Sequence, residues 1–137
     1  MLRILVLCTG NSARSQMGEG LFRHEGEGAV EVASAGTKPS RVRPEAIAVM
    51  REIGIDISGQ RSKSVDEFAG QKFDVIVTVC DNARDACPVF PGAAERVHWS
   101  FEDPAAAQGT EEERLATFRT VRDQIHARVK SFYGPRK

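Results

Sequence analysis

The chain has 137 residues, 41% of them hydrophobic and 28% charged, and its formal net charge is zero. That length supports one domain with a real core and falls short of two typical ones, so residues 1–137 are expected to form a single domain. The balanced charge argues against nucleic acid as the main partner, and no apolar run approaches the roughly 20 residues that span a membrane. The first element is a buried strand over 2–7, and a polar turn over 8–15 separates it from a helix over 16–25. A second strand is expected over 30–35 and a helix over 44–53, where Pro44 suits the first helical turn because its missing N–H is harmless there. A short helix over 64–69 follows, with Ser64 and Glu67 at capping-box spacing and with Gly54 and Gly70 as helix stops. Strands over 73–79 and, more weakly, 95–99 precede a final helix over 111–132, in which Phe118, Val121, Ile125 and Val129 keep core spacing. Residues 26–28 and 104–110 read as loops within the domain. Strands alternating with helices imply an α/β fold: a parallel sheet of about four strands with helices on both faces.

The segment Cys8-Thr9-Gly10-Asn11-Ser12-Ala13-Arg14-Ser15 carries the most chemistry. A tight loop between a strand end and a helix start can aim several backbone N–H groups at one point, and the helix N-terminus adds positive potential. Arg14 adds a planar, permanently charged fork that matches a tetrahedral oxyanion. The same field is expected to favour thiolate over thiol at Cys8, and thiolate is the nucleophile. Thr9 to Ser15 are therefore the expected oxyanion cradle, with Cys8 placed to attack what it holds. The bland alternative is a buried strand-end cysteine beside an ordinary surface arginine.

Three cysteines is an odd number, and their spacing is unlike a disulfide scaffold. A reducing cytoplasm fits such a set. The chain also enters a strand directly, without the apolar stretch of a signal peptide. No cysteine stands at metal-site spacing from His24, His98 or His126, so no metal is expected. Cys80 lies at the end of the third strand and should open onto the same sheet edge as Cys8, where ligands of such folds sit. Cys87 follows seven residues later, before Pro88. Were that stretch helical, the two Cα atoms would stand about 10 Å apart, at 1.5 Å rise per residue. A disulfide needs roughly 4.4–6.8 Å, so a Cys80–Cys87 bond requires the segment to unwind. The alternative is two unrelated cysteines. Arg84 and Asp85 read as a solvated face, His24 and His126 as surface groups, and His98 and Trp99 as core or loop packing.

Cys8 to Met17 resembles the opening of the low-molecular-weight protein tyrosine phosphatase superfamily, and more narrowly the thioredoxin-coupled arsenate reductases built on that fold. Residues 32–36, 55–58, 77–80, Cys87-Pro88, His98-Trp99 and Asp103-Pro104 stand in the same order as comparable segments of that family. The resemblance implies reduction of arsenate to arsenite in arsenic detoxification by three thiols in turn: Cys8 as nucleophile, then Cys80, then Cys87. It implies thioredoxin as the final reductant, phosphate or sulfate as oxyanion mimics, no cofactor, and a cytoplasmic monomer. It also places the general acid at Asp103, on a loop stiffened by Pro104, with Glu102 as the neighbouring alternative. The competing enzyme reading is a phosphatase that hydrolyses a Cys8–phosphate adduct, with the other thiols incidental. A non-catalytic phosphate-sensing module is disfavoured, because Cys8, Arg14 and Asp103 are all intact. Some related reductases bind potassium beside the loop through side chains resembling Asn11, Glu19 and Ser34 and a later carboxylate. That last position falls at Lys63 in this chain, so an ammonium is expected in the cation's place; the bland alternative is a solvated lysine.

Overall fold

A computed structural model describes residues 2–81 and 94–134. Four strands form one parallel sheet: β1 (Leu2–Cys8), β2 (Val30–Gly36), β3 (Val75–Thr78) and β4 (Glu95–His98). Their spatial order is β2-β1-β3-β4. The chain leaves β1 toward one side to form β2 and returns to its other side to form β3. The carboxyl end of β1 is therefore a topological switch point, where the flanking connections diverge and leave a crevice.

β1 is the central element, and its sequence says why. Ile4, Leu5, Val6 and Leu7 are all fully buried, so both faces of this strand are covered. A continuous apolar run without alternation is what a doubly covered parallel strand requires. Helix α1 (Arg14–Gly26) follows β1 directly and lies on the Val6 face. Gly18 makes that approach possible: a Cβ there would stand 3.2 Å from Val6 Cγ1. Helices α2 (Pro44–Arg51) and α3 (Glu111–Tyr133) pack against α1 and against each other. Pro44 occupies the first turn of α2, as its fixed φ predicts. Thr110 and Glu113 form a reciprocal capping box at the start of α3. Phe118, Val121, Ile125 and Val129 are fully buried along the inner face of α3. Phe22, Trp99, Phe132 and Tyr133 form an aromatic cluster where α1, α3 and the end of β4 meet.

Two expectations need correction. The helix expected over 64–69 is a single 3₁₀ turn, Val65–Phe68. Ser64 does cap it, but its hydroxyl accepts from Asp66, and the Glu67 carboxylate is taken by Arg61 rather than closing a capping box. One turn cannot repay the cost of nucleating an α-helix, and Gly70 at φ 83° ends it. His126 is not a freely solvated group: its Nε2 is buried, 3.5 Å from Glu25 Oε1. His24 is exposed, as expected. Cys87, Arg84 and Asp85 lie outside the described residues. Among the described residues, no helix is long and apolar enough to cross a membrane.

Candidate active site

The loop from Cys8 to Ala13 sits at the switch point, and its hydrogen bonding explains its shape. Its carbonyls point outward into neighbouring segments. Cys8 O accepts from Thr37 N at 3.3 Å, Thr9 O from Lys38 N at 2.9 Å, and Gly10 O from Ser40 N at 3.0 Å. Ser12 O accepts from Arg43 N at 2.9 Å, and Asn11 O from Gln16 Nε2 at 3.0 Å. The amides of Gly10, Asn11, Ser12 and Ala13 donate to no acceptor among the described residues. Carbonyls turned out and amides left over make a concave nest that selects an anion. Helix α1 begins at Arg14 with no side-chain cap and no acidic residue in its first turn, so its positive end also faces the loop.

This backbone is held from beneath by a buried polar network. Asn11 adopts φ 47°, a left-handed conformation that asparagine tolerates better than most residues. Its Nδ2 donates to Ser15 Oγ at 2.8 Å and Ser34 Oγ at 3.0 Å. Its Oδ1 accepts from Gln16 Nε2 at 2.9 Å and from Lys63 N at 3.0 Å. Ser34 Oγ in turn donates to Glu19 Oε1 at 2.6 Å. The side chains of Asn11 and Ser15 thus hold the loop from behind, and what they leave for an oxyanion is backbone.

Gly36 closes the packing under the loop. A Cβ at this position would stand 2.4 Å from Thr9 O and 3.0 Å from Asn11 N. Only a hydrogen fits there.

The Lys63 ammonium is 3.8 Å from Glu19 Oε1 and donates to Arg61 O at 3.1 Å. Its side chain is only 11% exposed, so it is not a solvated surface group. Burial lowers the Lys63 pKa, and Glu19 opposes that effect. A monovalent cation at the Asn11–Glu19–Ser34 cluster would face this ammonium at close range, so the residues present do not fit potassium.

Cys8 and Cys80 meet at the carboxyl ends of the adjacent strands β1 and β3. Both are buried, and their thiols share a hydrogen bond. Thr9 Oγ1 shares a second one with Cys80 Sγ at 3.3 Å. The hydrogen bond to Cys80 pushes the Cys8 thiol up, burial adds to that, and Arg14 and the Thr9 amide pull it down. Against the thiolate that Arg14 and the helix end are expected to favour at Cys8, the Cys80 thiol and burial act in the opposite direction. Arg14 and the helix end are local to Cys8, whereas the second thiol is brought in by the sheet.

Arg14 NH1 donates to Phe101 O at 3.0 Å, and NH2 is 3.8 Å from Asp103 Oδ2. Its Nε is buried with no hydrogen-bond partner among the described residues, a donor that an oxyanion can use. Asp103, rather than Glu102, is the carboxylate beside Arg14. Asp103 Oδ1 also accepts from Ala105 N at 3.0 Å, which caps the short turn Pro104–Ala106 and orients the carboxyl. Four of the five expected catalytic side chains thus converge, and the fifth, Cys87, lies outside the described residues.

Several contributors escaped the sequence reading. Gln16 clamps Asn11 to Arg61 O, and Gln60 holds Gln16 in turn at 2.8 Å. His98 does more than pack, since it links Thr78 to Asp81. One signal was available. Asn11, Ser15 and Glu19 recur at helical spacing on a face that should be apolar, and all three are buried.

The fold and the site together define a cysteine-centred oxyanion loop at the switch point of a parallel sheet. The chain belongs to the low molecular weight phosphotyrosine protein phosphatase family, whose model matches residues 3–135. It is similar to an arsenate reductase of Halalkalibacterium halodurans, with 51% identity over 129 residues covering 94% of this chain and 93% of the relative. It is 47% identical to an arsenate reductase of Bacillus subtilis over the same shares of both chains. A solved structure described as an arsenate reductase in the phosphate binding state matches with TM-score 0.77 and 35% identity, covering 98% of each chain.

Proposed function

We propose that this protein reduces arsenate to arsenite with Cys8, Cys80 and Cys87 acting in turn, and that a thioredoxin-type dithiol restores it. The observation that carries the reading is the contact between Cys8 and Cys80 at the mouth of the anion loop. A phosphatase needs one thiol; a two-electron reduction needs a second thiol within reach of the first. The arsenate reductases to which the chain is similar support the choice of substrate.

Arsenate binds to the amides of residues 10–13 and to Arg14. Cys8 passes its proton to the bound arsenate, and Cys8 Sγ attacks arsenic. The departing hydroxyl takes a second proton from Asp103 and leaves as water, Asp103 being reprotonated by the Cys80 thiol in the next step. Cys80 Sγ then attacks Cys8 Sγ. The sulfur–arsenic bond breaks, its electron pair stays on arsenic, and arsenite leaves. Two thiols have been oxidised to a Cys8–Cys80 disulfide while As(V) has become As(III). Cys87 attacks Cys80, which releases the Cys8 thiolate and leaves a Cys80–Cys87 disulfide. A dithiol protein supplies the two electrons and two protons that reopen it.

The test compares two reactions on one preparation: arsenite formation with a thioredoxin system, and hydrolysis of an aryl phosphate. Cys80→Ser and Cys87→Ser should each end catalytic turnover of arsenate and spare any ester hydrolysis. Repeated turnover by Cys87→Ser would show that the thiols do not act in this order. Ester hydrolysis without arsenate reduction would favour the phosphatase reading.

A further inference from the structure

The parallel register sets Thr78 of β3 beside His98 of β4. Their side chains meet: Thr78 Oγ1 and His98 Nδ1 are 2.7 Å apart. The opposite ring nitrogen, Nε2, is 2.8 Å from Asp81 Oδ1. A carboxylate can only accept, so Nε2 carries a proton. The main chain braces the same corner, since Trp99 N donates to Thr78 O at 2.9 Å and Val79 N donates to Leu7 O at 3.0 Å.

Asp81 is the residue after Cys80. On one side of Cys80 stand Cys8 and the Thr9 hydroxyl, and the residue that follows it is fastened to His98. Two strands thereby fix the backbone on which the Cys80 sulfur sits. The same bond keeps the Asp81 carboxylate turned toward the imidazole, where its charge is matched by a donor.

From this we propose that His98 is a positioning residue for Cys80: by clasping Asp81 it holds the Cys80 sulfur against Cys8 for the step that expels arsenite. The proposal deepens the thiol reading above and rests on it. His98 does not touch the reacting atoms, so its removal should slow the Cys80 step and leave anion binding alone.

The experiment is a single turnover of reduced protein with arsenate and no external reductant, following arsenite release and the Cys8–Cys80 disulfide by rapid quench and mass spectrometry. His98→Ala and Asp81→Ala should each slow disulfide formation by roughly tenfold or more, as a misplaced reacting group does. The double variant should be slowed less than the two single losses combined, because the two changes share one bond. Asp81→Asn keeps an acceptor and His98→Gln keeps a donor, so both should stay within about twofold of the parent. Inorganic phosphate affinity, measured by titration calorimetry, should be the same in all of them. An unchanged single-turnover rate in Asp81→Ala and His98→Ala, with Cys80→Ser inactive, overturns the clasp and leaves the thiol reading standing. Arsenite release by Cys80→Ser at the parent rate overturns both. Equal losses of rate and phosphate affinity in Asp81→Ala would also overturn the proposal, by showing general damage to the site.

Discussion

Gly36→Ala tests whether the anion loop is held in place by close backbone packing. The added Cβ would stand 2.4 Å from Thr9 O, 3.0 Å from Asn11 N and 3.1 Å from Asn11 Cβ. Comfortable contacts begin near 3.5 Å, so the loop or β2 must retreat by roughly 1 Å. Neither side is a flexible side chain. Gly36 N is bonded to Lys63 O at 2.9 Å, and Thr9 O to Lys38 N at 2.9 Å. Overpacking of this kind costs about 1–3 kcal/mol of stability. The larger effect is on chemistry, because a displacement of about 1 Å in a positioned site can cost about a hundredfold in rate. We therefore expect Gly36→Ala to fold with a lowered urea midpoint, to bind inorganic phosphate more weakly, and to lose about a hundredfold in kcat/KM for arsenate. Gly59→Ala is the control: no atom lies within 4 Å of its added Cβ, so it should match the parent in all three assays. A folded Gly36→Ala protein with parental phosphate affinity and kcat/KM would refute the reasoning.

The remaining predictions use other parts of the site and its frame. Cys80→Ala removes the largest influence raising the Cys8 thiol, so the pH profile of Cys8 alkylation should move to lower pH; an unmoved profile would mean that burial alone sets it. Arsenate turnover by the unmodified protein should not respond specifically to potassium over sodium at equal ionic strength, whereas Lys63→Asp should create such a response; clear potassium stimulation of the parent would sink this idea. Cys8→Ser should abolish turnover while retaining phosphate affinity, since a serine hydroxyl stays protonated in this site; residual turnover would count against Cys8 as nucleophile. Glu52 is held below its usual carboxylate range by hydrogen bonds from Arg119, then from Arg122, which join the end of α2 to α3. Because its folded pKa is depressed, its contribution is present above the ordinary glutamate range and disappears as pH falls through the folded value. Glu52→Gln should therefore lower the urea midpoint at pH near 7 and lower it progressively less as pH falls below the ordinary glutamate range; an equal loss at every pH would exclude the ion pair as the cause.

What the chain determines by itself is what can be decided over a few consecutive residues. Ile4 to Leu7 have the unbroken apolar run of a doubly buried strand, and a polar turn and a helix start follow at once, so the strand–loop–helix unit around Cys8 and Arg14 is legible. Pro44 marks a helix start, and Phe118 to Val129 mark a buried helical face, through spacings no longer than four residues. These features depend on dihedral preference and periodicity, which neighbours in sequence settle. The tertiary structure decided the rest, because it turns on strand order and register. Placing β3 beside β1 sets Cys80 against Cys8, and that neighbour, together with burial, opposes the thiolate that Arg14 and the helix end favour. Placing β4 beside β3 turns His98 from a packing residue into the partner of Asp81. Gly36 reads as an ordinary strand-end glycine until β2 is laid along β1, where its missing side chain becomes room for Thr9 O. Lys63 and Glu19 are far apart in sequence and meet only in the folded chain. The segment at Val65–Phe68 is held to one turn by distant contacts as well as by Gly70: Glu67 pairs with Arg61, and Ser64 bridges to Gly36. Local sequence can specify which groups a site contains. Their distances, and so their charges and roles, are set by the sheet that brings them together.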